Sequence, residues 1–291
     1  MYYIIYGFFY VLSLLPLRFL YLISDFAYLL IYYVFGYRKE VVLHNLDIAF
    51  PDKSKEAKQK IAKKFYRNFT DTFAEIIKLF SADDRFLNKH AHGTFEVFDR
   101  LYEQGKRCQV HLGHNFNWEL CNLTAALHIP HKFLGVYMPL NNKAFDRLFR
   151  KLRTKRGTVL VSAHNMKNEM MLHRSELYAL GLVADQTPRN PQAGYWVNFF
   201  GVPTCFVRGP ERGAMAGNLP VVFCHITKRK RGHYQLHFEL ATEHPERLQH
   251  GELTKKYVQY LEKVITDYPE MWLWSHRRWK LQWKPEYGDV L

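Results

Sequence analysis

Between Arg107 and Ala184 the hydrophobic period of the chain switches back and forth every few residues, and this alternation limits the available folds more than any other feature. The run Arg107 to His111 reads as a strand, and Asn117 to Leu127 as a helix. Phe133 to Tyr137 is the next strand. Lys143 to Arg156, with Phe145, Leu148, Phe149 and Leu152 on one side, is a helix stopped by Gly157. Thr158 to Val161 predicts another strand, Met166 to Leu180 another helix, and Leu182 to Ala184 another strand. Strands separated by helix-length segments cannot pair as hairpins; they pair in parallel, with the helices covering the sheet. The expected class is therefore α/β, a layered and largely parallel sheet flanked by helices. One hairpin interrupts the pattern. Val221 to Thr227 and His233 to Leu240 flank the turn Lys228-Arg229-Lys230-Arg231-Gly232, and Tyr234, Leu236, Phe238 and Leu240 alternate with polar residues as a half-buried strand requires. Glu252 to Asp267 predicts a last amphipathic helix. Upstream, Ile61, Phe65, Phe69, Phe73, Ile76, Ile77 and Phe80 recur at steps of three and four and mark one long helix.

The N-terminus is different. From Tyr2 to Tyr37 the only charged side chains are Arg18 and Asp25. A spanning helix needs roughly 20 apolar residues, and Tyr2 to Ser24 supplies them. Pro16 and Asp25 equally permit two shorter helices lying in one leaflet. Both readings predict a membrane anchor, residues 1–37, followed by a single catalytic domain, 38–291; a helix pair buried in the body is the competing reading. No basic start or small-residue cleavage site marks a signal peptide. Arg38 and Lys39 directly after the anchor place the body on the cytoplasmic side of an inner membrane by the positive-inside rule. The mean hydropathy of −0.30 excludes a polytopic membrane protein.

The formal charge of +14 concerns partners rather than fold. Nucleic acid, an anionic membrane and acidic carrier proteins all fit it, and the apolar N-terminus favours the membrane over nucleic acid. The cysteines Cys108, Cys121, Cys205 and Cys224 are scattered without a CxxC pair, which suits a reducing compartment. The histidines lack ligand spacing, so no metal or cofactor is expected.

Chemistry concentrates in His111-Leu112-Gly113-His114-Asn115-Phe116-Asn117-Trp118-Glu119, which follows a strand and opens a helix. Open α/β sheets place their sites there. A histidine can take a proton from an alcohol near neutral pH, and a carboxylate can fix its tautomer. His114 and Glu119 form the expected pair, with His111 as the competing base. Asp185, at another strand end, can orient a basic group or the acceptor. The C-terminal cluster Trp272-Leu273-Trp274-Ser275-His276-Arg277-Arg278-Trp279-Lys280 can set its rings at the membrane interface while Arg277, Arg278 and Lys280 meet phosphates, or it can cap the sheet.

The segment from His114 to Glu119 resembles the HxxxxE/D motif of lysophospholipid-type acyltransferases. The whole chain is similar to their late lipid A branch, the lauroyl/myristoyl transferases. The similarity is carried by pieces arriving in order: Val41-Val42-Leu43-His44-Asn45-Leu46, Ala49-Phe50-Pro51, the His114 motif, Tyr137-Met138-Pro139-Leu140, Arg153 and Arg156-Gly157, Ala184-Asp185-Gln186, Phe199-Phe200-Gly201-Val202-Pro203-Thr204, and Tyr268-Pro269-Glu270 running into the terminal cluster. The family usually reads H-x-G-N-W-E; here two extra residues leave His111 at the H-x-G position and His114 at the catalytic spacing.

The resemblance implies direct transfer of an acyl group from acyl carrier protein, or from acyl-coenzyme A, to a hydroxyl of a phosphorylated, Kdo-bearing lipid A precursor. His114 would be the general base, with no covalent intermediate. It also implies a functional arginine at Arg153 or Arg156. Phe199-Phe200-Gly201 reads first as core packing, and after that as the shape of an acyl groove or lid. Relatives that acylate aminolipids or phosphatidylinositol mannosides leave the acceptor open. A membrane glycosyltransferase is the alternative of another class, without a DxD pair to support it; a non-enzymatic membrane binder would leave His114 and Glu119 unexplained.

Overall fold

The computed structural model describes residues 2–291. The chain opens with α1 (Tyr2–Leu14) and α2 (Leu17–Leu29), broken at Pro16 and continued by a short π-helical turn to Val34. Then come α3 (Lys39–Ala49), the long α4 (Lys55–Leu79), α5 (Asp84–His90), β1 (Ala91–Gly93) and α6 (Glu96–Glu103). The alternating core follows as β2 (Cys108–Leu112), α7 (Trp118–His128), β3 (Lys132–Tyr137), α8 (Lys143–Arg153), β4 (Val159–Ser162), α9 (Met166–Met171) and β5 (Tyr178–Val183). Next are β6 (Gly194–Phe199), β7 (Val202–Val207), α10 (Gly209–Gly217), β8 (Val221–Lys230), β9 (His233–Thr242) and α11 (Glu252–Asp267).

Seven strands form one sheet in the order β1-β9-β8-β2-β5-β3-β4, parallel except where the hairpin joins β8 to β9. The expected α/β class is what is found. Its centre is β2, held by β8 on one side and β5 on the other. One expected boundary is wrong: the helix beginning at Met166 ends at Met171, and Tyr178 to Leu180 belong to β5. Residues 178–182 of β5 are buried, so the strand lacks alternation, and a continuous apolar run cannot be told from a buried helix by periodicity alone.

A second, two-stranded sheet of β6 and β7 was not foreseen. Its tip is Phe200-Gly201, both with positive φ (52° and 74°), as a tight hairpin turn demands. The Phe200 amide donates to Glu262 on α11, which holds this non-glycine residue in its left-handed conformation. Phe199 is buried against Phe206, Trp272 and Trp279. The Phe199-Phe200-Gly201 segment is thus a turn and a piece of core, the first of its two readings.

The N-terminal helices are bound to the body along one face. Leu20, Ser24 and Tyr28 recur at helical spacing and are buried; Ser24 donates to Asp71 (2.8 Å) and Tyr21 to Glu75 (2.9 Å), both on α4. Asp25 pairs with Arg231 at the tip of the β8–β9 hairpin (2.6 Å). On the far side Leu22, Phe26, Leu29 and Tyr33 are exposed. Leu17–Val34 is long and apolar enough to cross a membrane, yet its one polar flank is committed to protein. The end of α1 is fastened by Lys78 and Ser81, which donate to the carbonyl of Ser13.

Candidate active site

The site is built by strand register. In the parallel pair β2–β5, Leu112 lies opposite Val183, and the ladder continues as the Ala184 amide donates to Leu112 O (3.0 Å). Two residues beyond each partner stand His114 and Asp185, which therefore meet although 71 residues separate them. His114 Nδ1 lies 2.5 Å from Asp185 Oδ1, and the His114 amide donates to Oδ2 at 2.8 Å. Trp272 Nε1 donates to the same Oδ2 at 2.7 Å.

Asp185 is 2 % exposed. Burial alone would push its carboxyl up, but the neighbouring His114 and the hydrogen bonds from His114 and Trp272 outweigh it and hold the group at about 2. An ionised Asp185 facing Nδ1 fixes the imidazole as the tautomer protonated there, which leaves Nε2 as the acceptor. Gln186 Nε2 lies 3.1 Å from that nitrogen. The His114 side chain is 20 % exposed, and the Trp118 ring stands edge-on to it at 5.5 Å. Gly113 makes the approach possible: a Cβ there would meet Leu261 at 2.9 Å and Asp185 Oδ2 at 3.2 Å.

The expected pairing of His114 with Glu119 is not what the side chains do. Asn117 caps α7, its Oδ1 accepting from the Leu120 amide (3.2 Å), which places Glu119 in the first turn and buries it. There Arg153 takes both carboxylate oxygens, Nε at 3.0 Å from each and Nη2 at 2.5 Å from Oε1. The aspartate from the neighbouring strand β5 has the place next to His114 that Glu119 was expected to fill. The reason is geometric: a helix cap turns Glu119 towards α8, whereas parallel register delivers Asp185 to the imidazole.

Arg153 and Arg156 part company. Arg153 lies beside the motif, whereas Arg156 points to Asp84 and the Ala82 carbonyl at the end of α4. The terminal cluster is also divided. Arg277 and Lys280 are exposed, but Arg278 is 1 % exposed, lies over the Phe206 ring at 4.0 Å, and its guanidinium makes one hydrogen bond, to Thr187 (3.3 Å). Burial lowers its guanidinium to about 10, against the pull of Asp185. Trp272 and Trp274 are buried as well, so these residues cap the sheet and do not form an interfacial belt of rings. Arg278 cannot meet a phosphate at the surface.

His111 sits inside β2, 2 % exposed, with Nε2 2.8 Å from Gln109. Burial pushes it down to about 3, so it is neutral and out of reach of solvent. Sequence reasoning passed over three side chains at the site. Gln186 and Trp272 were noted only as parts of longer motifs, and His276, whose Nε2 is 3.4 Å from the Thr187 amide, is lowered to about 4 by burial and by Arg278. Among the described residues no cluster of three or more His, Cys, Asp or Glu could hold a metal ion.

No curated protein matches the chain. The family model of the bacterial lipid A biosynthesis acyltransferases matches residues 1–281, nearly its whole length, from the first helix through the buried terminal cluster. The chain is therefore an acyltransferase belonging to the bacterial lipid A biosynthesis acyltransferase family.

Proposed function

We propose that this protein moves a fatty acyl chain from acyl carrier protein to a hydroxyl of a phosphorylated lipid A precursor, with His114 as general base. The observation that carries the proposal is the partly exposed His114 imidazole with a buried carboxylate on Nδ1; the acceptor hydroxyl takes the place of the Gln186 amide on Nε2. In this mechanism the acceptor hydroxyl gives its proton to Nε2 while its oxygen attacks the thioester carbonyl. The tetrahedral intermediate collapses, the C–S bond breaks, and the proton passes from the imidazolium to the departing thiolate. An ester and a free thiol result, and no enzyme nucleophile is consumed.

Asp185 stabilises the imidazolium and holds the ring. Glu119 acts through Arg153: its two-oxygen grip aims the guanidinium, whose Nη1 is free of hydrogen bonds among the described residues. A fixed cation beside the reacting carbonyl favours the oxyanion. The charge of +14 suits an acidic carrier and a phosphorylated acceptor, and the exposed apolar flank of α2 suits attachment to the inner membrane with the catalytic body on the cytoplasmic face. Acyl-coenzyme A as donor, and an aminolipid or phosphatidylinositol mannoside as acceptor, use the same chemistry.

The test is acyl transfer by the detergent-solubilised protein with labelled acyl carrier protein and a purified Kdo-bearing lipid A precursor, wild type beside His114→Ala. Product with the wild type only is expected. Wild-type turnover of another envelope lipid in place of this acceptor would transfer the proposal to that lipid, and equal turnover by His114→Ala would remove His114 as base.

A further inference from the structure

The tip of the β8–β9 hairpin reaches beyond the sheet on the side where His114 lies, because β8 runs on to Lys230 after its last pairing with β2 at Cys224. Between this tip, α2 and α4 there is a cavity of about 600 Å³. The hairpin itself is tied to the loop after His114 through Glu75, a buried carboxyl that accepts from Tyr234 on β9 (2.6 Å) and from Asn117 (3.0 Å).

The cavity wall carries five cations, Lys64, Arg67, Lys228, Lys230 and Arg231. Two of them are already matched: Lys228 pairs with Asp71 (2.9 Å), and Arg231 with Asp71 and Asp25 (2.6 Å each). Lys64, Arg67 and Lys230 have no ion pair among the described residues, and Glu270 is the one remaining carboxylate in the wall. All three are exposed. The matched pairs hold the walls in place while the unmatched cations leave a positive surplus.

Leu29 belongs both to this wall and to the exposed stripe Leu22, Phe26, Leu29, Tyr33 along α2. The steps of four, three and four residues keep the stripe on one helix face. A positive cavity thus opens beside an apolar track that stays exposed among the described residues.

We infer that this cavity binds the phosphate headgroup of an anionic bilayer phospholipid, whose acyl chain lies along the α2 stripe. The site is separate from His114 and fixes how the enzyme sits on the membrane. A phosphodiester satisfies the surplus cations by charge-assisted hydrogen bonds, and a basic cluster beside an apolar helix face is the combination that retains anionic lipid. A soluble phosphate would use the cations but not the track.

The test is native mass spectrometry of the full-length, detergent-solubilised protein with added phosphatidylglycerol or phosphatidylcholine. The variants are Lys64→Glu/Arg67→Glu, Leu22→Ser/Phe26→Ser, and Lys55→Glu/Lys263→Glu as a charge control elsewhere, each checked for an unchanged melting temperature. Wild type should retain phosphatidylglycerol at least tenfold better than phosphatidylcholine. The cavity variant should abolish that preference, the stripe variant should weaken both lipids, and the control should behave as wild type. Equal retention of both lipids by wild type, or an undiminished preference in the cavity variant, overturns the site. Inorganic phosphate displacing the lipid at equal concentration overturns the lipid as its occupant, as does preferential displacement by the lipid A precursor at trace levels.

Discussion

Asp185→Asn separates orientation from space-filling at this site. The asparagine is nearly isosteric, but it must place an oxygen on one side and an NH2 on the other. The Oδ2 position faces two donors, the His114 amide and Trp272 Nε1, so the amide oxygen stays there and the NH2 turns to His114 Nδ1. That contact occupies the Nδ1 lone pair, drives the ring proton to Nε2 and removes the base. An equivalent change in a Ser-His-Asp triad lowers kcat by about 10⁴, and loss of a general base costs about 10²–10⁴-fold. We expect a fall in kcat of about 10³-fold, roughly 4 kcal/mol, with KM within about threefold. Stability falls too. Asp185 is held at about 2 in the folded chain against roughly 3.9 when unfolded, about 3 kcal/mol. The carboxyl is depressed on folding, so this contribution is complete above about pH 4 and is lost as the pH drops towards 2. The variant should therefore unfold more easily at pH 7 and converge with wild type near pH 2. Single-turnover acyl transfer and denaturant unfolding across that range are the assays. If Asp185→Asn keeps kcat within about fivefold while Glu119→Gln abolishes it, the carboxylate that serves His114 is Glu119 and the reasoning fails.

Three further outcomes are expected. His111→Phe should leave kcat within about threefold in the same transfer assay. Because burial lowers His111 to about 3, wild type loses stability as pH falls from roughly 6.5 towards 3; about 2 kcal/mol of that should be gone by pH 5 and be absent from the variant's denaturation curves. Gly113→Ala places a methyl 2.9 Å from Leu261 and 3.2 Å from Asp185, so it should cost about 1–3 kcal/mol of stability and shift His114 enough to lower kcat at least tenfold. Arg153→Met strands the buried Glu119 and should cost about 3–5 kcal/mol; adding Glu119→Gln should restore much of the melting temperature without restoring turnover, a result a double-mutant cycle would quantify.

The layered sheet was legible because strand and helix periods are local properties, and α11 was placed to the residue. Periodicity failed at β5, where burial on both faces erases it, and at β6–β7, where Phe200 adopts a conformation its residue type does not advertise. The loop from His111 to Glu119 could be identified as chemical, and the four-residue spacing distinguished the solvent-reachable His114 from the core His111. Its partner could not be read the same way. Spacing along the chain favours Glu119, whereas the contact with Asp185 depends on which strand pairs with β2 and in what register. The tryptophans and arginines at the end illustrate a different limit: amphipathic rings next to cations have one composition at a membrane surface and in a buried cap, and only packing tells them apart.

The buried cap has a consequence for how activity appears during folding. Asn45 on α3 donates to the carbonyls of Trp274 and His276 (2.7 and 2.8 Å), and Asn68 on α4 donates to that of Glu270 (3.0 Å). Early helices therefore hold the late segment whose Trp272 completes the hydrogen bonding of Asp185. Contacts of such long sequence separation form slowly, after the loops between them have closed. A chain with its sheet assembled but this strap undocked would lack a donor on its buried carboxylate and have an unsteady base. Enzymatic activity would consequently report the docking of this strap, and a chain without it would be catalytically silent.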